Sequence, residues 1–174
     1  MKDSNCKYDV FISYSRRDYV DENKNIIPDN IISQIKETLT KANISYWFDE
    51  EGIYCGDVWT EKIAEQIDEC SIFLFISSIN SNKAEWTKKE IATAHMYKKT
   101  IIPFRIDGSV YHKSVIIYLS DLDYIDYYVN PSLAITRLID SIQEKKEAVE
   151  KLIAKKRKEE EEIKQMTDML FYHK

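Results

Sequence analysis

The sequence predicts an α/β fold with a doubly wound, five-stranded parallel sheet and a long helix at the carboxyl end. Three observations predict it. Short apolar runs are rich in β-branched and aromatic residues, amphipathic helical stretches separate them, and a helical pattern continues from Pro131 onward. Strands that alternate with helices form right-handed βαβ units, so the strands of this sheet are expected to be parallel.

The strands are predicted from five apolar runs. The run at residues 71–77 is apolar almost throughout, as is typical of a central strand with both faces covered. The run at 100–106 contains Pro103, which favours a sheet edge or the end of a strand over the sheet centre. The other three predicted strands are residues 8–14, 44–48 and 122–125.

The helices are predicted from apolar residues at helical spacing. Helices are expected near residues 31–42, 58–69 and 83–98, with a short helix or irregular segment at 111–118. Pro28 and Pro131 are each expected in the first turn of a helix, where the missing amide hydrogen has no helical partner.

The long carboxyl-terminal helix changes character along its length. Residues 155–162 are all charged, whereas apolar residues precede and follow them. Two interpretations remain open: a solvated helix that frays, or a coiled-coil arm for self-association. We therefore expect a globular domain over residues 6–140 and a helical extension over 141–174. The apolar residues that flank the charged block are Ile135, Leu138, Ile139, Ile142, Val149, Leu152, Ile153, Ile163, Met166, Met169 and Leu170.

Composition excludes several classes of protein. Residues 145–174 hold nine basic and seven acidic residues, which leaves 16 basic and 23 acidic residues in 1–144. A nucleic-acid surface needs clustered positive charge, so this acidic part argues against one. No apolar run is long enough to span a membrane. The three cysteines and three histidines are scattered, so we expect neither a metal site nor a disulfide, and a cytoplasmic location.

Glu90 is the candidate catalytic residue. In a helix over 83–98, Trp86, Glu90 and Ala94 stack at i, i+4 spacing, which puts the carboxylate at the edge of an apolar face. A carboxylate there needs a partner or a chemical task. From this helix alone, an ordinary, partly exposed glutamate remains the alternative.

The candidate site lies where the predicted strands end. Ligands of open α/β sheets bind beyond the carboxyl ends of the strands. Those ends supply residues 13–16, Asp49 and Arg105, close to the start of the helix that carries Glu90. The chain lacks a GxGxxG turn, a Walker loop and a Ser/His/Asp set at these ends. A single carboxylate suits a reaction through an oxocarbenium ion, such as cleavage of a C–N glycosidic bond with a neutral pyridine leaving group.

Four segments in order resemble the motifs of TIR domains. Residues 8–15 (YDVFISYS) with Arg16 and Asp18 resemble the first signature box, and residues 49–56 resemble the loop after the second strand. Residues 71–77 resemble the third strand, and Trp86-xxx-Glu90 resembles the motif with the catalytic glutamate of NAD-cleaving members. The resemblance covers about residues 6–140 and implies a flavodoxin-like, doubly wound sheet. The chain departs from the family where Cys55-Gly56 replaces Pro-Gly and where Arg105 replaces a more usual apolar residue.

The resemblance also implies an activity, partners and site residues. NAD+ would be the substrate, no cofactor would be needed, and nicotinamide plus ADP-ribose or a cyclic ADP-ribose isomer would form. Small TIR proteins of bacteria generally act in antiviral defence, through self-association and a nucleotide signal to a separate effector. Glu90 would be catalytic. The implied substrate-binding residues are Tyr14, Ser15, Arg16, Asp49 and Trp86, and the implied loop and assembly residues are Ile53, Gly56 and Trp59.

Three alternatives stand beside this interpretation. A non-enzymatic TIR scaffold would need TIR–TIR contacts but neither Trp86 nor Glu90. A nucleoside deoxyribosyltransferase-like glycosidase shares the layered design and a glutamate, and its substrates would distinguish it. A receiver-type phosphoacceptor would need an acidic pair after the first strand, where this chain has Ser13-Tyr14-Ser15-Arg16.

Overall fold

A sheet of five parallel strands forms the centre of the protein, as predicted. The computed structural model describes residues 6–50 and 57–171, without the side chains of 57–59, 170 and 171. The strands are β1 (Tyr8–Ser13), β2 (Tyr46–Trp47), β3 (Cys70–Ser77), β4 (Thr100–Arg105) and β5 (Ile125–Asp126). Their order across the sheet is β2-β1-β3-β4-β5.

Five α-helices cover the two faces of the sheet. They are α1 (Ile31–Lys41), α2 (Asp57–Asp68), α3 (Glu85–Met96), α4 (Ile116–Leu119) and α5 (Pro131–Phe171). Side chains of β1, such as Val10 and Ile12, pack with α1 and α5 on one face. Phe11, the residue between them, packs with α2, α3 and α4 on the other face. This alternation along an apolar strand is what a sheet covered on both sides requires.

The chain changes direction across the sheet between β1 and β3. β2 pairs with one side of β1, and β3 pairs with the other side, with Ser13 beside Phe75 at the carboxyl end. A crevice forms at such a switch point because the connections leave in opposite directions. The end of β1 is therefore the place in this fold where a ligand site is expected.

Several predicted boundaries were wrong. Pro28 precedes α1 rather than lying in its first turn, because the Asn30 side chain caps the helix by accepting from the Ser33 amide at 2.8 Å. β2 and β5 are only two residues long, and β5 begins at Ile125, where the predicted strand ended. The segment at 111–118, expected to be a short helix or irregular, is irregular up to Val115 and then enters the four-residue α4.

Both remaining prolines fit their surroundings. Pro131 begins α5, which confirms its prediction. Pro103 lies in β4, inside the sheet, but pairing with β5 begins only at Phe104. Among the described residues, no strand pairs with β4 at Pro103 on the side away from β3, which agrees with the expected position of a proline at a strand edge.

The helix α5 is 41 residues long, or about 60 Å at the rise of an α-helix. Its first part packs on the sheet, where Leu138 and Ile142 are 0% exposed. The predicted boundary between residues 140 and 141 falls inside this continuous helix, so the division into two parts stays a prediction. Within residues 6–50 and 57–171, no helix has the length and apolar character that membrane crossing requires.

Candidate active site

Glu90 is buried on the inner face of α3. It is 7% exposed and lies among the other buried residues of this helix, Thr87, Ile91 and Ala94. Charged side chains are almost never this buried without a partner. The alternative of an ordinary, partly exposed helix glutamate is therefore wrong.

The partner of Glu90 is Ser13, the last residue of β1. The Ser13 hydroxyl donates to Glu90 Oε2 at 2.5 Å, and Ser13 itself is 1% exposed. Ser13 faces the α3 side because it lies two residues after Phe11, which packs on that side. Sequence reasoning did not single out Ser13. The available signal was a serine that ends an apolar strand on its buried face.

The surroundings of Glu90 favour its neutral form. Burial raises the pKa of the Glu90 carboxyl to about 8, and the negative charge of Asp49 raises it further. Hydrogen bonding from Ser13 and Trp86 lowers this pKa but does not offset burial. The Glu90 carboxyl thus holds its proton at neutral pH, and a nearby positive charge would favour its release.

Trp86 lies one helical turn before Glu90, as the spacing predicted. Its indole lies near the Glu90 carboxyl, and their interaction lowers the pKa of that carboxyl. The ring also packs against the core on the α3 side of the sheet, and the Lys89 ammonium lies 5.6 Å from its centroid. Trp86 therefore both packs and borders the site, so its two interpretations are compatible.

Asp49 brings the loop after β2 to the site. It is 8% exposed, and its charge acts on Glu90. The Tyr14 hydroxyl donates to the backbone oxygen of Asp49 at 2.6 Å, and the Arg16 guanidinium donates to the backbone oxygen of Glu50 at 3.2 Å. Tyr14 also stacks on Phe48, with ring centroids 4.6 Å apart. These contacts join the carboxyl ends of β1 and β2.

The structure thus brings together only some of the predicted site residues. Glu90, Trp86 and Asp49 share one electrostatic environment, whereas Tyr14 and Arg16 hold the backbone of the Asp49 loop. Ser15 is 6% exposed, and its backbone oxygen accepts from the Asp18 amide. Whether these residues contact a substrate stays a prediction. The predicted assembly residues Ile53, Gly56 and the Trp59 side chain lie outside the described residues.

A second polar cluster supports the start of α3. Asp18 accepts hydrogen bonds from Ser78 Oγ at 2.5 Å and Asn80 Nδ2 at 2.6 Å. Burial raises the pKa of the Asp18 carboxyl, the two hydrogen bonds lower it, and the charge of Asp107 raises it. Asp18 therefore ties the end of β1 to the loop between β3 and α3. Sequence reasoning quoted Asp18 only as part of a motif.

His95 and Arg105 each contact aromatic rings. His95 is exposed, and its ring lies 4.8 Å from the Tyr118 ring. Arg105 pairs with Asp126 at 3.4 Å, and its guanidinium lies over the rings of Tyr124 and Tyr128. Arg105 thus stabilises the outer edge of the sheet. Among the residues that the structure describes, no three metal-ligating side chains converge.

These features define a doubly wound α/β domain with a buried carboxyl at its switch point. A family model described as TIR domain matches residues 10–139. The chain belongs to the TIR-domain family.

A curated relative agrees with this assignment. Over 144 residues the chain is 25% identical to the "2' cyclic ADP-D-ribose synthase AbTIR" of Acinetobacter baumannii, covering 79% of this chain and 46% of that protein. The chain thus spans less than half the length of this curated relative.

Solved structures show the same fold. The TIR domain of the Toll-related receptor TRR-2 from Hydra magnipapillata superposes with a TM-score of 0.56 at 20% identity, over 79% of this chain and 99% of that one. A metazoan TIR-STING receptor from C. gigas superposes with a TM-score of 0.50 at 16% identity, over 80% of this chain and 40% of that one.

Proposed function

We propose that this chain cleaves the bond between nicotinamide and ribose in NAD+, with Glu90 as the catalytic residue. One observation carries the proposal: a carboxyl that is 7% exposed, with a pKa raised to about 8, at the switch point of the sheet. A strongly perturbed acid in such a place is characteristic of functional sites. The similarity to a protein named as a cyclic ADP-ribose synthase supports the choice of substrate.

The chemistry needs one carboxylate and no acid on the leaving group. As the bond from the anomeric carbon to the pyridinium nitrogen breaks, both bonding electrons go to nitrogen, and nicotinamide leaves neutral. Positive charge develops on the anomeric carbon, where ionised Glu90 stabilises it. An oxygen of water or of a ribose hydroxyl then bonds to that carbon, and its proton passes to Glu90 or to solvent.

The raised pKa of Glu90 suits this cycle. The pyridinium of bound NAD+ carries a positive charge, which favours the ionised form of a nearby carboxyl. When nicotinamide departs, that charge is lost, and a group with a pKa near 8 readily accepts the proton from the attacking oxygen. Ser13 holds the carboxyl oxygen in place through both stages.

The remaining site residues receive supporting roles in this proposal. The Trp86 ring is a flat apolar surface for the nicotinamide. Tyr14, Ser15, Arg16 and Asp49 line the cleft for the ribose and phosphates. No cofactor takes part, and the products are nicotinamide with ADP-ribose or with a cyclic ADP-ribose isomer. The loop residues Ile53, Gly56 and Trp59 contribute to TIR–TIR assembly.

The test is product analysis by chromatography and mass spectrometry after incubation of the chain with NAD+. We expect nicotinamide release by the wild type and a loss of at least about a hundredfold in Glu90→Gln, because the amide carries no charge. Glu85→Gln is the matched control, since Glu85 is an exposed glutamate of the same helix. The mass of the second product separates hydrolysis from cyclisation, because the cyclic product lacks one water.

Two arms of this experiment address the alternatives. Purines released from nucleosides, rather than nicotinamide from NAD+, would indicate the deoxyribosyltransferase-like glycosidase. Each reaction is repeated with concentrated and crowded protein, because self-association is part of the proposal. Equal rates of nicotinamide release by the wild type and Glu90→Gln would contradict the catalytic role of Glu90.

A scaffold without enzymatic activity is the second candidate. The observation that favours it is the neutral form of Glu90, since a protonated carboxyl bonded to Ser13 is also a satisfied structural contact. In that case, Glu90→Gln would keep the fold and self-association, and no nicotinamide would appear in any arm.

A role in bacterial antiviral defence completes the proposal, with the nucleotide product as a signal to a separate effector in the cytoplasm. The family resemblance supports it. Bacteria that express the wild type should resist phage better than cells that express Glu90→Gln. Equal survival of both would contradict this role without affecting the cleavage assay.

A further inference from the structure

An uncovered apolar stripe runs along the distal part of α5, beyond the residues that pack on the sheet. Its members recur at alternating spacings of three and four residues, which is the heptad pattern of a helix that pairs with another helix. Two charged residues fill the central positions of this stripe. The stripe consists of Val149 (43% exposed), Leu152 (53%), Lys156, Glu159, Ile163 (60%) and Met166 (54%).

We propose that this stripe pairs with the same stripe of a second copy, with the two helices antiparallel. In one register, each charged residue of the stripe faces an opposite charge on the partner helix, and each apolar residue faces an apolar one. Lys156 faces Glu159 of the second copy, and Glu159 faces its Lys156. Outside this pair, Leu152 faces Ile163, and Val149 faces Met166. The dimer therefore contains each of these contacts twice.

Charge complementarity selects the antiparallel direction. The block at 155–162 has four basic residues followed by four acidic ones. A parallel pair would place Lys156 against Lys156 and Glu159 against Glu159 in the core of the interface, where like charges strongly disfavour pairing. The antiparallel register instead brings the basic half of one helix against the acidic half of the other. At the flanking positions, Lys155 faces Glu162.

The base of α5 leaves room for the partner. A cavity of about 460 Å³ separates the helix from the amino ends of β3 and β4. Val149 and Leu152 line one wall, and Lys98 lies on the other beside Lys99, which already pairs with Asp68 at 3.5 Å. In the proposed register, the Met166 end of the partner helix reaches the mouth of this cavity. The apolar wall suits Met166 of the partner helix, and Lys98 suits its Glu162.

The pairing leaves the candidate active site uncovered. The cavity lies at the amino ends of the strands, whereas Glu90 and Ser13 lie at the carboxyl ends. The two domains would lie at opposite ends of the helix pair. The candidate active site of each domain would be directed away from the paired helices. This association does not depend on NAD+ cleavage, and its failure would be distinguishable from failure of the proposed reaction.

The test is charge reversal followed by sedimentation equilibrium of the full chain. We expect a wild-type dimer, at least about tenfold weaker dimers for Lys156→Glu and Glu159→Lys, and recovery in the doubly reversed variant. Arg157→Glu and Glu161→Lys are the matched controls, because both positions lie outside the stripe. Circular dichroism confirms that each variant keeps its helix. A monomeric wild type, or a dimer insensitive to Lys156→Glu, would overturn the proposal.

Cross-linking tests the direction of the helices separately. In the antiparallel register, a variant that combines Leu152→Cys with Ile163→Cys forms disulfide-linked dimers under mild oxidation, whereas each single variant stays at the wild-type background. The wild type sets that background, since it retains Cys6, Cys55 and Cys70. Efficient cross-linking of the Leu152→Cys variant alone would indicate parallel helices and overturn the register.

Discussion

At the scale of single residues, the contact between Ser13 and Glu90 decides what the site can do. The two residues are 77 positions apart in the chain and meet at 2.5 Å. The spacing of Trp86 and Glu90 was sufficient to predict the acid and its aromatic neighbour. It could not predict Ser13, because that contact depends on how α3 packs against β1.

Burial of Glu90 makes the stability of the fold depend on pH. Its folded pKa of about 8 lies above the ordinary value of 4.5, so between these values the folded state binds more protons than the unfolded state. The free energy of unfolding should fall as pH rises through this window and level off above it. Relative to Glu90→Gln, the wild type should lose about 4 kcal/mol of stability between pH 5 and pH 9.

Urea denaturation of both proteins at pH 5, 7 and 9 measures this difference. Glu85→Gln serves as the control for an exposed glutamate and should follow the wild type closely. A gap between wild type and Glu90→Gln that does not widen with pH would show that Glu90 ionises normally in the folded state.

The hydroxyl of Ser13 should set the pH dependence of the reaction. If ionised Glu90 is required, kcat/KM should rise with pH toward a plateau above about 8, which is the pKa of the free enzyme. Ser13→Ala removes a hydrogen bond that lowers this pKa, so the rise should move upward by about one pH unit. The pH–rate profiles of the two proteins test this. A profile that keeps its midpoint in Ser13→Ala would mean that the hydroxyl does not act on the ionisation of Glu90.

At the scale of elements, short polar contacts determine where helices begin and how loops are held. α1 begins after Asn30, whose amide oxygen accepts from the Ser33 amide and whose Nδ2 donates to the Ile27 backbone oxygen at 2.6 Å. A sequence rule that places proline in the first turn chose Pro28 instead. The sequence contains both Pro28 and Asn30 before the helix. Asn30 determines where the helix begins, because its side chain makes the capping hydrogen bond.

Removal of this cap should weaken the fold measurably. Asn30→Ala should lower the free energy of unfolding by about 1–2 kcal/mol, because the helix loses its cap and the preceding turn loses a hydrogen bond. Asn23→Ala, at an exposed position of the same loop, is the control and should stay within about 0.5 kcal/mol. Thermal unfolding followed by circular dichroism compares them. Equal destabilisation by both would remove the special role of Asn30.

Asp18 should matter for both stability and catalysis. Asp18→Ala removes the hydrogen bonds from Ser78, which is 1% exposed, and from Asn80, and leaves the Ser78 hydroxyl only the longer 3.3 Å contact with Ser81 Oγ, at a cost of about 2 kcal/mol. Because the loop after Ser78 leads into α3, nicotinamide release should also fall. Asp121→Ala at an exposed turn is the control. Unfolding and NAD+ cleavage are measured on the same preparations, and unchanged values of both would contradict this role.

At the scale of the whole molecule, α5 serves two different purposes along its length. Its first part closes one face of the core, where Leu138 is 0% exposed, and its distal part carries Leu152 at 53% exposure. The sequence pattern showed apolar residues in both parts. It could not show at which residue the packing of α5 on the sheet ends, since that depends on the position of the sheet.

Two matched substitutions separate these parts. Leu138→Ala should lower the free energy of unfolding of the monomer by about 3 kcal/mol, because it creates a cavity in a closed core. Leu152→Ala should change it by less than about 0.5 kcal/mol at dilutions where the chain is monomeric. Chemical denaturation at low protein concentration measures both. Similar losses would mean that the distal part of α5 also belongs to the core.

The sequence by itself determined the class of fold, the order of its elements, and Glu90 beside Trp86. Periodicity is local, so residues such as Ile91 and Ala94 show which face of α3 is inward whatever that face contacts. The tertiary structure alone decided the burial of Glu90, its bond to Ser13 and the support from Asp18. These depend on the position of β1 between β2 and β3, which brings distant parts of the chain to one edge of the sheet and excludes water there.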